Sequence, residues 1–193
     1  MKLIIYTDLH LGSSYEIQTD LTFGENVFYL GDIVDINHCK KKFVNQYVEL
    51  ASNIQKRAKR NYIRGNHEMN IDRKCQEYFN GSVLQYFQIY KKVYLAHGDY
   101  GLLWPEWKSN RFSSQKLGAN VFLRMASYLI EKIRQIRPYK ISKVSLSRIY
   151  NEMIKREIDI IILGHAHPKK KIDMVYQGKR IIILPRGKNV IEL

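Results

Sequence analysis

Five of the six histidines in this chain fall inside a set of five short motifs that together also hold aspartate, asparagine and glutamate. In order they read Asp8-Leu9-His10, Gly31-Asp32-Ile33-Val34-Asp35, Gly65-Asn66-His67-Glu68, His97-Gly98-Asp99 and Gly164-His165-Ala166-His167. Imidazole, carboxylate and amide oxygen together suit a site for two divalent cations. A carboxylate has two oxygens, so Asp32 is able to bridge a pair of ions. Two cations about 3.5–4 Å apart hold a water, lower its pKa toward neutrality and neutralise phosphate oxygens. No single motif specifies this. Asp-x-His alone is a weak signal, and Gly-Asp and Gly-Asn are ordinary turn dipeptides. The closely spaced His165 and His167 are more specific. The set is far more specific than its members, because each motif directly follows an apolar run.

Those runs are the elements that must position the motifs. Residues 2–7 and 26–30 are short apolar stretches that read as buried strands. Residues 41–60 carry apolar side chains near helical spacing, and 62–64 form a short strand before the Gly-Asn-His turn. Strands are predicted at 83–90, 93–96 and 159–163, then a hairpin of 172–177 and 180–184 turned at Gly178, then a last strand at 189–192. The motifs therefore occupy loops at strand ends, where a sheet holds ligand-binding groups rigidly. Asp8 and His10 alternate along the chain. On an extended backbone they would point to opposite faces, so a turn must swing them together.

Between His97 and Gly164 the pattern changes. Residues 117–137 form a long helical pattern stopped by Pro138, and 145–157 form a second helix with Leu146, Ile149, Tyr150 and Met153 on one face. Residues 105–157 hold twelve Lys/Arg against four Glu and no Asp, with Trp107, Phe112 and Phe122 among them. This segment reads as a helical, cap-like insertion within a single domain spanning 1–193.

The whole-chain numbers narrow the class. With 193 residues, 45% hydrophobic and 12% aromatic, the chain is long enough and apolar enough for one packed core. No apolar run reaches the roughly 18 residues of a membrane span, and Asp8 interrupts the first one, so a cytoplasmic protein is expected. Cys39 and Cys75 belong to no Cys-x-x-Cys pair and read as free buried thiols. A net charge of +14 favours phosphate-bearing partners: nucleotides, nucleic acid or anionic headgroups.

In order and spacing the motifs resemble the calcineurin-like metallophosphoesterase family, over residues 8 to 167. The resemblance implies an α/β fold, a sandwich of two mixed sheets flanked by helices, with the metals at C-terminal strand ends. It implies one metal on Asp8, His10 and His167, another on Asn66, His97 and His165, and Asp32 bridging them. It makes His67 the general acid beside the leaving-group oxygen and Asp35 the residue that orients it. Arg64, beside the third motif, is a further candidate for a phosphate contact. Mn²⁺ is the expected metal, with Fe or Zn²⁺ as alternatives.

Asp35 is followed by Ile36-Asn37, where protein serine/threonine phosphatases of the family continue Asp-Arg-Gly, so that activity is not expected. The helical stretch after His97 is similar in architecture to the UDP-2,3-diacylglucosamine pyrophosphohydrolase branch. That branch usually has Arg where this chain has His67. The function implied is a dinuclear-metal phosphohydrolase that cleaves a phosphodiester or pyrophosphate by attack of a metal-bound hydroxide. Its substrate would be a small or lipid-linked phosphate compound, with peripheral membrane contact allowed. The alternatives are a nuclease for single-stranded nucleic acid with the same centre, or a non-catalytic scaffold in which metals only stabilise the fold. His38, outside the motifs, reads as a solvated loop residue or a substrate contact.

Overall fold

Leu3 and Ile5 point one way from the first strand and Ile4 and Tyr6 the other, and both faces find a partner layer. This alternation, repeated along the chain, builds four layers. The computed structural model describes residues 1–63, 65–68, 86–90, 92–98, 118–136 and 139–193. Strands β1 (Lys2–Thr7), β2 (Val27–Leu30) and β3 (Tyr62–Ile63) run parallel, and β9 (Gly187–Glu192) closes the sheet antiparallel to β1, giving the order β3-β2-β1-β9. A second sheet has the order β4-β5-β6-β8-β7, from β4 (Tyr86–Tyr90), β5 (Val93–Ala96), β6 (Ile160–Leu163), β7 (Ile172–Tyr176) and β8 (Lys179–Ile183). Its centre, β5-β6-β8, is parallel and its edges are antiparallel. Both sheets are thus mixed, as expected.

The core between the sheets contains Leu3, Ile5, Phe28, Leu30 and Ile63 from one and Leu95, Ile162 and Ile182 from the other. The outer face of the first sheet, through Tyr6, Val27, Tyr29 and Tyr62, takes Val44, Val48, Ala51 and Ile54 of α1 (Val44–Ala58). The outer face of the second, through Ile161, Leu163, Ile181 and Ile183, takes Ile149 and Met153 of α3 (Lys143–Lys155). Strands covered on both faces must be apolar throughout, which is why these segments read as continuous runs. The hairpin β7–β8 turns through Gln177 and Gly178, with φ of 48° and 79°. Two consecutive positive φ values match the twist of the paired strands, and glycine adopts them without strain.

Boundaries move where capping decides. The helix expected at 145–157 begins at Lys143, because Ser142 Oγ accepts from Ser145 N (3.0 Å). The helix expected at 117–137 is α2 (Val121–Ile136). Ala119 is occupied in a bridge with Lys40, and Asn120 Oδ1 accepts from Leu123 N (2.9 Å). Residues 83–85 of the expected fourth strand, Cys75 and Arg64 lie outside the described residues. Cys39 is free and buried, and burial pushes its thiol up to about 11.

Residues 105–117, with Trp107 and Phe112, lie outside the described residues, and the described part of the segment read as a cap holds two different helices. Since α3 packs into the layer behind the second sheet, the end of 105–157 belongs to the sandwich itself. The α2 helix is different. Glu131 is its one buried residue, and Phe122, Met125, Leu129, Ile133 and Ile136 on it are all exposed. No described helix is long and apolar enough to cross a membrane.

Candidate metal centre

Asp8 follows β1, Asp32 follows β2, Asn66 and His67 follow β3, His97 follows β5, and His165 and His167 follow β6. All are at the C-terminal ends of parallel strands, so the two sheets deliver their loops to one edge. Strand β3 is paired with β2 through Tyr29 and Leu30, which brings the third motif beside the second. Backbone bonds stitch the loops together: Asp8 N donates to Gly31 O (3.1 Å), His10 N to Asp32 O (2.9 Å) and Gly164 N to His97 O (3.1 Å).

Five of the site residues lie in the left-handed region: Asp8 (φ 54°), His10 (52°), Asp32 (51°), His165 (64°) and His167 (50°). Each costs on the order of 1 kcal/mol for a non-glycine residue, and such strain collects at functional sites. It also supplies the turn that Asp8 and His10 needed. Three motif glycines make the approach possible. A Cβ on Gly65 would stand 2.2 Å from Asp32 Oδ1, one on Gly164 would stand 2.1 Å from Thr7 Oγ1, and one on Gly31 would stand 2.4 Å from His97 Nδ1.

Two groups of donors result. In the first, His167 Nε2 is 3.1 Å from Asp8 Oδ1 and 3.3 Å from His10 Nε2. In the second, His97 Nε2 is 3.2 Å from Asp32 Oδ2 and 3.2 Å from His165 Nδ1. Asp32 Oδ2 is also 4.0 Å from His10 Nε2, so one oxygen borders both groups. Each carboxylate has one oxygen pinned and the other turned to the imidazoles. Asp8 Oδ2 accepts from Thr7 Oγ1 (2.5 Å) and His165 N (2.9 Å), while Asp32 Oδ1 accepts from His67 N (2.8 Å). His97 Nδ1 donates to Leu30 O (2.9 Å), which leaves Nε2 with its lone pair toward Asp32.

The donor set fits divalent cations. Asp8, His10 and His167, and likewise Asp32, His97 and His165, each bring one ligand atom within 4.8 Å of the others. Asn66 Oδ1 is buried without a hydrogen-bond partner, which is costly for an amide oxygen unless something else satisfies it. Burial holds the His10 imidazole down at about 4 and, with the neighbouring His97, holds His165 well below its usual range. Neutral imidazole is the form that ligates metals. Asp8 and Asp32 stay low despite burial, because the surrounding histidines favour the carboxylate.

His67 lies beside the two groups: with His10 and Asp32 it also brings one ligand atom within 4.8 Å of the others. Its Nε2 is 3.9 Å from Asp32 Oδ2 and its Nδ1 3.0 Å from Asp35 Oδ2, the latter out of hydrogen-bond alignment. Burial opposes its protonation, but the carboxylates of Asp35 and Asp32 outweigh that and raise it to about 9. Asp35 does more than serve His67. It also accepts from Tyr15 OH (2.8 Å) and from His38 N (3.0 Å), and lies 3.2 Å from His10 Nδ1. Glu68 is structural: it accepts from Ile33 N (2.8 Å), Val34 N (3.0 Å), Gly65 N (3.0 Å) and Tyr62 OH (2.5 Å), clamping the second and third motifs together.

All nine motif residues singled out from the sequence lie in this region, and Arg64 lies outside the described residues. His38 is no isolated loop residue; its ring centroid is 5.1 Å from that of His67. Tyr15, Arg186 and Glu131 were not foreseen. The first two carry no local signal. Glu131 is the lone acid of a basic, apolar helix, which is a signal in retrospect.

Solved structures similar to the chain include vacuolar protein sorting 29 from Cryptosporidium parvum, at 17% identity and a TM-score of 0.45, covering 96% of this chain and 74% of that one. A cold-active protein tyrosine phosphatase is similar at 13% identity and a TM-score of 0.44, covering 99% and 73%. The phosphopantetheinyl hydrolase of Mycobacterium tuberculosis is similar at 11% identity and a TM-score of 0.40, covering 96% and 89%. These likenesses are distant. No curated protein matches the chain. The family model for calcineurin-like phosphoesterases matches residues 1–169, all of the motifs included, and the chain belongs to that family.

Proposed function

We propose that the protein is a dinuclear-metal-dependent phosphohydrolase that cleaves a phosphodiester or pyrophosphate. Asp8, His10 and His167 would hold one cation, Asn66, His97 and His165 the other, and Asp32 Oδ2 would serve both. The observation that carries this reading is the pair of Asp/His groups sharing Asp32, beside the unpartnered amide oxygen of Asn66. Bound cations supply phosphate-charge neutralisation and an acidified water.

The chain's own residues would do the rest. His67, held protonated by Asp35 and Asp32, would give a proton to the leaving oxygen as the P–O bond breaks. Asp35, gripped by Tyr15 OH, would keep that imidazole oriented. His38 is close enough to His67 to bind a phosphate oxygen of the substrate. A phosphate-bearing small molecule or lipid-linked compound is the proposed substrate class, with Mn²⁺ the proposed metal and Fe or Zn²⁺ the alternatives. The net charge of +14 keeps single-stranded nucleic acid as a second substrate reading.

The test is a substrate panel with added Mn²⁺: chromogenic mono- and diesters, a nucleotide-sugar pyrophosphate and short single-stranded DNA. Diester or pyrophosphate turnover is expected, and His67→Ala is expected to lower kcat by about 10²–10⁴-fold while metal uptake persists. Full activity in that variant would remove His67 as proton donor. Absence of turnover on every substrate would favour the scaffold reading.

A further inference from the structure

The α2 helix is inside out. Its exposed face carries large apolar side chains, and its one buried residue is a carboxylate, Glu131, at 3% exposure. Burying a lone carboxylate is costly unless it is paired. Glu131 is paired twice. Both its oxygens are 3.1 Å from His167 Nδ1, and Oε1 also accepts from Arg186 Nη1 (3.1 Å). The Arg186 side chain, 6% exposed, continues inward, donating through Nε to Asp8 O (2.9 Å) and through Nη2 to Tyr15 O (2.6 Å). The helix is thereby tied to the loop that carries Asp8 and to the imidazole of His167.

His167 has only two ring nitrogens to place. In the neutral, metal-ligating ring, Nδ1–H donating to Glu131 leaves the lone pair on Nε2, which faces Asp8 Oδ1 and His10 Nε2. Nothing else among the described contacts holds Nδ1. The second group is oriented differently: His97 Nδ1 is held by a backbone carbonyl, Leu30 O, inside the sandwich. One group therefore has an imidazole held by a carboxylate brought by α2, and the other an imidazole held by a carbonyl at a strand end.

We propose that Glu131 is the positioning residue for His167, so that the Asp8/His10/His167 cation site is completed only when α2 is docked. The inference rests on the dinuclear reading above and goes beyond it by separating the two sites. A carboxylate behind a ligating imidazole sets its tautomer and strengthens it as a donor, and losing such a partner costs about 10–100-fold in metal affinity. The second site, with its own carbonyl anchor, is independent of Glu131.

The experiment is calorimetric titration of Mn²⁺ into the metal-stripped full chain, for wild type, Glu131→Ala and Glu131→Gln, with metal-free melting recorded for each. Two equivalents are expected to bind wild type. Glu131→Ala is expected to weaken one equivalent by about 10–100-fold and leave the other unchanged. Glu131→Gln, whose amide oxygen still accepts from Nδ1–H, is expected to recover most of that loss. Two equivalents at wild-type affinity in Glu131→Ala would overturn the proposal. So would equal weakening of both equivalents in both variants together with lower metal-free melting, which marks a purely structural residue. If wild type takes up fewer than two equivalents, it is the dinuclear reading that falls.

Discussion

Asp8, His10, Asp32, His165 and His167 all accept a backbone conformation that side chains resist, and for the loop after Asp32 the clamp at Glu68 is part of what holds it there. Its carboxylate answers three backbone N–H groups and one hydroxyl, all buried. In Glu68→Ala those donors lose their acceptor, at about 1–3 kcal/mol for each left unsatisfied. A loss of at least about 3 kcal/mol in urea unfolding of the metal-free protein is expected; a loss under 1 kcal/mol would mean that the clamp is incidental. Gly65 is the steric counterpart. Alanine there would place Cβ 2.2 Å from Asp32 Oδ1 and 2.5 Å from Asp32 N, and backbone cannot give way as a flexible side chain can. Gly65→Ala is expected to destabilise by about 1–3 kcal/mol and to displace the shared carboxylate, lowering uptake of both cations. Retention of two tightly bound Mn²⁺ ions would refute this.

At the scale of elements, α1 and α3 behave as amphipathic helices do, burying Val48 and Ile54 or Ile149 and Met153 against a sheet. Among the described residues, the α2 helix is held by polar contacts instead. Arg124 Nη1 donates to Gly12 O (2.9 Å) and His38 O (2.6 Å), and Ser14 Oγ donates to Arg124 O (2.7 Å). Two variants separate these modes. Arg124→Ala removes two bonds from a charged group to carbonyls, each worth about 1.5–3 kcal/mol. It should raise hydrogen exchange across 121–136 while leaving the exchange of α1 unchanged. Phe122→Ser removes a side chain that is 81% exposed and should change stability by no more than about 0.5 kcal/mol. Uniform exchange changes in Arg124→Ala, or a large loss in Phe122→Ser, would show that α2 is packed in some other way.

For the whole molecule, the two sheets meet over an apolar core and their loops meet over a cluster of carboxylates and imidazoles. Asp8, Asp32 and Asp35 are all buried there, and Asp8 and Asp32 both face His97. Cations that bind this state and not the unfolded chain stabilise it by mass action, about 2.7 kcal/mol at a hundredfold excess over Kd. The melting temperature should therefore rise on adding Mn²⁺ and fall on chelation, with the shift abolished in Asp32→Asn. A melting temperature insensitive to both treatments would count against any ion at this edge. The sequence alone determined the donor types, their order and the strands before them, because apolar runs and motif composition are local properties. Strand edges such as Lys2–Thr7 and Val93–Ala96 were legible for that reason. The helix starts at Val121 and Lys143 were not, since a bridge to Lys40 and the cap of Ser142 decide them. Only the tertiary structure decided which oxygen of Asp32 borders both groups, that His38 sits beside His67, and that Glu131 reaches His167 across 36 residues of chain. Those facts depend on sheet order and loop closure. Contacts between distant segments leave no periodicity or composition for a linear reading to detect.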